Sequence, residues 1–383
     1  MNMNLADLCE LIVDCEHKTA PTQEAGYPSI RTPNIGRGYL ILDNVNRVSR
    51  ETYLLWTQRA VPQAGDLIMA REAPVGNVAV VPPGLNPCLG QRTLLIRPDR
   101  NKVDNVFLNY YLNGPYVQGL VHAKTNGATV PHLNMKDVRS LPIPELPPLL
   151  IQHRIAGILS AYDDLIENSQ RRIKILEEMA RRLYREWFVH FRFPGHQDCR
   201  LVDSPLGEIP EGWEVKRLGQ VAQLNYGKAL KKEERRDGPF PVFGSSGQVG
   251  THEYSLSQGP GIIVGRKGNV GSVFWCDNDF FVIDTAYFVS SNLPLRFLYY
   301  LLPSLNFINS DAAVPGLSRN QAYSLEIVVP PDDVLRSFCK QADILEGQAI
   351  MLKHQIQNLR RTRDLLLPRL LSGQIDVEAL DHA

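Results

Sequence analysis

The chain has 383 residues, 44% of them hydrophobic, with 41 basic side chains balanced by 41 acidic ones, which suits two or three folded domains. That composition excludes a disordered chain. The zero net charge argues against an autonomous nucleic-acid binder, whose affinity rests largely on basic side chains neutralising phosphates. No apolar run approaches the ~20 residues of a membrane span. Met1-Asn2-Met3-Asn4-Leu5-Ala6-Asp7 also lacks the basic and apolar regions of a signal peptide, so a cytoplasmic location is expected. The six cysteines (Cys9, Cys15, Cys88, Cys199, Cys276, Cys339) are scattered without CxxC pairing and read as reduced thiols, with neither a disulfide framework nor a metal site expected.

In chain order, residues 1–147 form a first β-rich module. Short β-type runs (Asp66-Leu67-Ile68-Met69-Ala70, Val78-Ala79-Val80-Val81, Thr93-Leu94-Leu95-Ile96) alternate with turn residues, and one helical stretch is expected near residues 107–120. The proline-rich run Leu141–Pro148 punctuates the chain before a long helix over residues 148–190. Residues 191–212, with Pro194, Gly195, Pro205, Gly207, Pro210 and Gly212, read as a linker. A second β-rich module covers residues 213–330. Pro330-Pro331-Asp332-Asp333 then stops the strand and starts a second long helix, expected to end at Leu367 because Pro368 follows, within a final segment of residues 331–383. The fold class is α+β, with two mixed modules separated by two long helices.

The two helices carry the same heptad at the same phase. Ile155, Leu159, Tyr162, Ile166, Ser169, Ile173, Leu176, Ala180, Leu183 and Trp187 recur 183 residues later (176 to 359) as Phe338, Ala342, Leu345, Ala349, Leu352, Ile356, Leu359, Arg363, Leu366 and Leu370. Only Ser169 and Arg363 interrupt the apolar seam, which is a coiled-coil pattern. The modules repeat more loosely. Met69-Ala70-Arg71 with Val75-Gly76-Asn77-Val78 matches Val264-Gly265-Arg266 with Val270-Gly271-Ser272-Val273 at an offset of 195 (71 to 266). Thr129-Val130-Pro131-His132-Leu133-Asn134 matches Ala313-Val314-Pro315-Gly316-Leu317-Ser318 at an offset of 184 (131 to 315). Two variable modules on a repeated rod pose the question of what needs two recognition surfaces at a set spacing.

Catalytic constellations are missing. Gly265-Arg266-Lys267-Gly268-Asn269-Val270-Gly271 has the wrong spacing for a phosphate-binding loop, and the nine histidines form no HExxH. Phe243-Gly244-Ser245-Ser246-Gly247 fails as a nucleophile elbow because Gln248 stands where glycine is needed. Pro98-Asp99 has no nuclease-type partner motif.

With these features in place, the chain resembles the specificity subunit of a type I restriction–modification system over nearly its whole length. The resemblance rests on Gly65-Asp66-Leu67-Ile68 with Arg71–Val78, on Thr129–Asp137, Leu141-Pro142-Ile143-Pro144, Gln152-His153-Arg154-Ile155 and Leu183–Phe188. It continues in Ile209-Pro210-Glu211-Gly212-Trp213, Ile283-Asp284-Thr285-Ala286 and the tail Leu367–Ile375. It implies two target recognition domains, each reading one half of a split double-stranded DNA sequence, and two helices packed as an antiparallel coiled coil. It also implies a non-catalytic chain that itself binds no cofactor. Two modification subunits docked on the helices would carry S-adenosylmethionine and methylate adenine, and a separate ATP-driven restriction subunit would cleave. The seam residues Ile155, Leu159, Tyr162, Leu176, Leu183, Trp187, Leu345, Leu352, Leu359 and Leu366 are then the rod core or the partner interface. At ~1.5 Å per residue the span from Ile155 to Trp187 is roughly 50 Å, about 15 base pairs, which suits an unread spacer.

For DNA contact, Arg71 and Arg266 hold matching places before a glycine turn, where a guanidinium can read guanine, clamp phosphate or support the domain as an ion pair. Lys267 and Asn269 sit among glycines that would let a loop approach closely. Tyr226 and Lys228 (beside Asn225), with Ser245 and Ser246 (beside Gln248), are polar loop candidates in the second module. Arg31, Asn34, Arg37, Lys124 and Asn126 are their looser counterparts in the first. Arg363 on the seam either specifies rod register or snorkels from the helix. The alternative readings are a coiled-coil scaffold joining two protein- or polymer-binding modules, and an enzyme with an unrecognised site.

Overall fold

The computed structural model describes residues 3–125, 131–307 and 316–378. It divides into two units, one of Met1–Asn168 with Gln355–Ala383, the other of Ser169–His354.

In the first unit an antiparallel sheet runs in the order Cys9–Asp14, Thr93–Pro98, Leu67–Ala70, Val78–Val80. Its inner strands, Thr93–Pro98 and Leu67–Ala70, are largely apolar on both faces because each face has its own core. Leu67, Met69, Val78, Leu94 and Ile96 point into a core that includes Phe107, Leu112, Ile155, Leu159 and Leu370. Ile68, Ala70, Ala79 and Leu95 face the other way, onto Ile30, Ile35 and Leu89. This is the period-2 alternation of a strand applied to a sheet covered on both sides. A smaller sheet is ordered Arg47–Val48, Tyr27–Ile30, Cys88–Leu89, with its second pair parallel. Met3–Asn4 pairs with Pro142–Ile143 and closes the module.

The second unit repeats these three sheets in the same strand order and adds one hairpin. Its main sheet is ordered Ala222–Tyr226, Ala286–Ser291, Gly261–Gly265, Val273–Cys276. The smaller one is Gly247–His252, Phe240–Gly244, Phe281–Val282, again with a parallel second pair. Glu214–Arg217 pairs with Glu326–Val329 as the closing ribbon. Ile262, Val264 and Val289 join one core, and Ile263, Ala286 and Val282 the other.

The rods are Leu149–Phe188 and Asp332–Leu371, each of 40 residues, and both their starts and their ends lie 183 apart (149 to 332, 188 to 371). Asp332 and Asp333 occupy the first turn of the second, where carboxylates complement the positive end of the helix dipole. Every one of the twenty seam positions is buried or partly buried. Within the second unit, Glu177 pairs with Lys353, and Trp187 packs on Phe338 with ring centroids 6.0 Å apart. Numbers rise on one rod as they fall on the other, so the segments run antiparallel. Within the first unit Asp163 pairs with Arg363, and Ile155 and Leu159 share a core with Leu366 and Leu370. There too the rods run antiparallel.

Three expectations need correction. The helical stretch near 107–120 is two helices, Asn105–Asn113 and Pro115–Ala123, because Gly114 is extended and Pro115 opens a new first turn. Residues 191–212 are not a loose linker. Leu201–Ser204 and Gly207–Pro210 form a hairpin, and Phe193 and Ile209 are buried with Trp213. Gly207, at φ +96°, supplies the hairpin's turn, and burial of Phe193 and Ile209 anchors the segment, while Leu201, Val202 and Leu206 stay exposed. Pro368 does not end the second rod, which continues to Leu371. Proline lacks an N–H and its ring crowds the carbonyl four residues back, yet near the helix end the pattern resumes, with Ser372 N–H donating to Pro368 O at 3.0 Å. Gly373, at φ +72°, follows just past the end.

Candidate nucleic-acid interface

The arginine turns repeat in three dimensions. Gly76 N–H donates to Ala70 O at 2.8 Å and Gly271 N–H to Gly265 O at 2.9 Å, closing equivalent loops after Arg71 and Arg266. Both glycines have positive φ (86° and 75°). A Cβ there would lie 2.7 Å from Val121 Cγ1 in the first unit and 2.9 Å from Phe307 Cδ2 in the second. The segment bearing the second repeated motif crosses each turn at the same place, with Leu133 N–H donating to Arg71 O (3.0 Å) and Leu317 N–H to Arg266 O (2.8 Å).

The side chains then diverge. In the first unit Met69 and Asp14 both pair with Leu94; in the second, Val264 and Tyr226 both pair with Tyr287, so Asp14 and Tyr226 are equivalent. Arg71 is largely buried, donates to both oxygens of Asp14 at 2.8 and 2.7 Å, and bonds Leu133 O at 2.8 Å through Nε. Its charge is occupied within the domain. Asp14, Cys15 and His17 also bring metal-type ligand atoms together, but Arg71 already engages the carboxylate and His17 approaches it at 3.2 Å.

Among the described residues Arg266 forms no ion pair with an acid. Its guanidinium lies 4.9 Å from the ring centre of Tyr226, which is 47% exposed, and donates to Asp284 O at 3.0 Å. Arg319 covers the same ring at 4.3 Å, so an exposed tyrosine carries two guanidiniums. Tyr287 sits behind it with ring centroids 5.1 Å apart, and burial pushes that phenol's pKa up. Arg266 and Lys267 both donate backbone N–H groups to Thr285 O, and Ser245 N–H reaches Thr285 Oγ1 at 3.4 Å, so these three candidates meet at one residue. Lys228 is exposed and anchored by its N–H to Val282 O. Asn269 and Ser246 are exposed, with Asn269 O accepting from Ser272 Oγ. Asn225 is engaged by Ser290, its side-chain N–H donating at 2.9 Å.

In the first unit Arg31 and Asn34 line a polar hollow of about 170 Å³ with Pro33, Asn44 and Asn46. Asn34 is partly committed to its own turn, accepting from Arg31 N–H at 3.1 Å and donating to Ile41 O at 3.1 Å. Arg37 is exposed on the same loop, while Lys124 closes the helix Pro115–Ala123. Asn126, with Thr129 and Val130 of the first motif and Ala313-Val314-Pro315 of the second, lies outside the described residues. Arg319 escaped the reading of the sequence. The signal available was the repeat itself: continued past Asn134 and Ser318, it aligns Met135 with Arg319, a hydrophobic residue against a cation.

A family model described as the type I restriction modification DNA specificity domain matches residues 1–178 and 210–361. The chain belongs to that family of specificity subunits. They are the non-catalytic members of their complexes. The MjaIX specificity subunit of Methanocaldococcus jannaschii is 27% identical over 347 residues, covering 82% of this chain and 79% of that relative. The HindI specificity subunit of Haemophilus influenzae is 24% identical, covering 76% and 82%. Among solved structures, the type I S subunit from M. genitalium shares the fold with a TM-score of 0.61 at 19% identity, covering 97% of this chain and 96% of that one. Among the described residues no helix is long and apolar enough to cross a membrane.

Proposed function

We propose that this specificity subunit reads a split double-stranded DNA target, one half per module, and directs adenine methylation and restriction by partner subunits. The observation that carries the reading is the duplication itself: one sheet order used twice, together with two 40-residue rods of equal phase. A 40-residue helix is about 60 Å long at ~1.5 Å per residue, the length of about 18 base pairs. Two readers joined through such rods suit a target with an unread middle.

In the second module the contact centre of this proposal is Tyr226 with Arg266 and Arg319, flanked by Lys228, Lys267, Ser245, Ser246 and Asn269. In the first it is the loop of Arg31, Asn34 and Arg37, with Lys124 at the end of the helix Pro115–Ala123 as a further candidate; Arg71 serves as the domain's clamp. The chain's zero net charge leaves most phosphate neutralisation to two docked modification subunits, which would also hold S-adenosylmethionine. The ATP-driven restriction subunit completes the assembly. The test is methylome sequencing with the reconstituted complex after residues 213–329 are exchanged for those of a relative. One half of the methylated sequence should change, with the other half and the spacing retained. A change in both halves refutes independent reading.

A further inference from the structure

Hydrophobic burial seats each module on its rod segments, and burial is non-directional, so by itself it does not fix the register of one helix along another. A polar tie does, because a donor and its acceptor must meet at one position, and a donor on a buried side chain is costly to leave without one. The chain has such a tie in both units. In the first, the helix Asn105–Asn113 directs the Tyr110 hydroxyl to Asp163 of the first rod at 2.5 Å, and Arg363 of the second rod donates to the other carboxylate oxygen. In the second, the helix Leu295–Leu301 directs the Tyr300 hydroxyl to Glu346 of the second rod. One turn earlier on that helix, Arg296 donates to Asp343 at 2.9 Å while stacking over Trp275 at 3.8 Å.

The two ties are one device used twice. Phe107-Leu108-Asn109-Tyr110 corresponds to Phe297-Leu298-Tyr299-Tyr300, and Asp163 and Glu346 are 183 apart (163 to 346), the rod offset. The surrounding residues have drifted and the acid differs in length, yet the phenol-to-carboxylate bond occurs in both. Burial and the adjacent carboxylate hold both phenols far above the ordinary tyrosine range, so each remains a donor at any working pH.

We propose that Tyr110 and Tyr300 are positioning residues that lock the register of each module on the rods, and thereby the number of unread base pairs the complex accepts. A module that slipped by one helical turn would move ~5.4 Å, about one and a half base pairs at ~3.4 Å each. Loss of the lock therefore changes spacing tolerance and leaves base reading alone. The inference rests on the split-target reading proposed above.

The experiment uses the complex reconstituted with its modification subunits and a plasmid library in which the target's spacer is one or two base pairs longer or shorter. Methylation is read by sequencing for wild type, Tyr110→Phe, Tyr300→Phe, the double variant, and Tyr111→Phe, whose phenol makes no carboxylate bond among the described residues. Methylation at off-length spacers relative to native length should rise on the order of tenfold in the double variant. It should rise less in each single one and not at all in Tyr111→Phe, with both half-sites unchanged throughout. An unchanged spacer preference in the double variant overturns the proposal. So does a loss of methylation equal at all spacers, or a failure to assemble, because either would make the ties structural only. Wild type methylating no split target would instead refute the underlying function, and that outcome is read independently of the variants.

Discussion

Phe338→Ala is the sharpest test of the rod packing. Phe338 is fully buried, with ring centroids 4.8 Å from Phe188, 5.9 Å from Tyr300, 6.0 Å from Trp187 and 6.1 Å from Tyr184. Removing it leaves a cavity between both rods and the module helix, and four aromatic contacts go with it. Phenylalanine-to-alanine changes in such cores cost about 3–5 kcal/mol, and each aromatic pair contributes ~0.5–1.5 kcal/mol within that loss. The unit is Ser169–His354, a size for which each kcal/mol lowers the melting temperature by about 2–4 °C. A fall of roughly 10 °C is expected, read by calorimetry, with faster hydrogen exchange concentrated in peptides of residues 169–354. Phe338→Leu should cost about a third as much, and Leu365→Ala, at a rod position 62% exposed, less than ~0.5 kcal/mol. A loss below ~1 kcal/mol for Phe338→Ala, or equal losses at Phe338 and Leu365, would refute the antiparallel seam.

Asp14→Asn should destabilise the first unit by about 3 kcal/mol, because Arg71 keeps a mostly buried charge without its counter-ion; urea unfolding checks this, and an unchanged midpoint would contradict the clamp. Arg319→Ala should leave stability within ~0.5 kcal/mol while weakening DNA binding by the complex. A loss shared by all sequences, with a shallower salt dependence, marks a phosphate contact; a loss confined to one base position, of ~1–3 kcal/mol, marks a reader. Stability should fall as pH rises above the ordinary tyrosine range near 10, since folded phenols titrate later than unfolded ones and the unfolded chain then binds fewer protons. Burial pushes Tyr111 up to about 12, with Tyr110, Tyr184 and Tyr300 also raised, so ultraviolet titration should show part of the tyrosine signal missing at pH 11 until the chain unfolds.

The rods were legible in the sequence because a heptad reports one buried face of a helix directly, whether that face meets the other rod or a module core. Arg363 was ambiguous, since the partner that explains it, Asp163, is 200 residues away and not on the seam. The arginine turns were legible as repeats, while their roles were not. Whether a guanidinium is clamped or displayed depends on the neighbouring strand, which places Asp14 beside Arg71 but Tyr226 beside Arg266. The hairpin within 191–212 was hidden because glycine and proline are as common in tight turns as in loose connections.

The proposed function requires two readers joined by rods of fixed length. The most direct measurement is the methylated sequence before and after seven residues are added to each rod, which adds ~10 Å. Both half-sites should stay the same and the unread spacer should lengthen by about three base pairs. A contiguous methylated target in the unaltered complex, or a lengthened rod that changes the half-sites while keeping the spacer, would contradict the account.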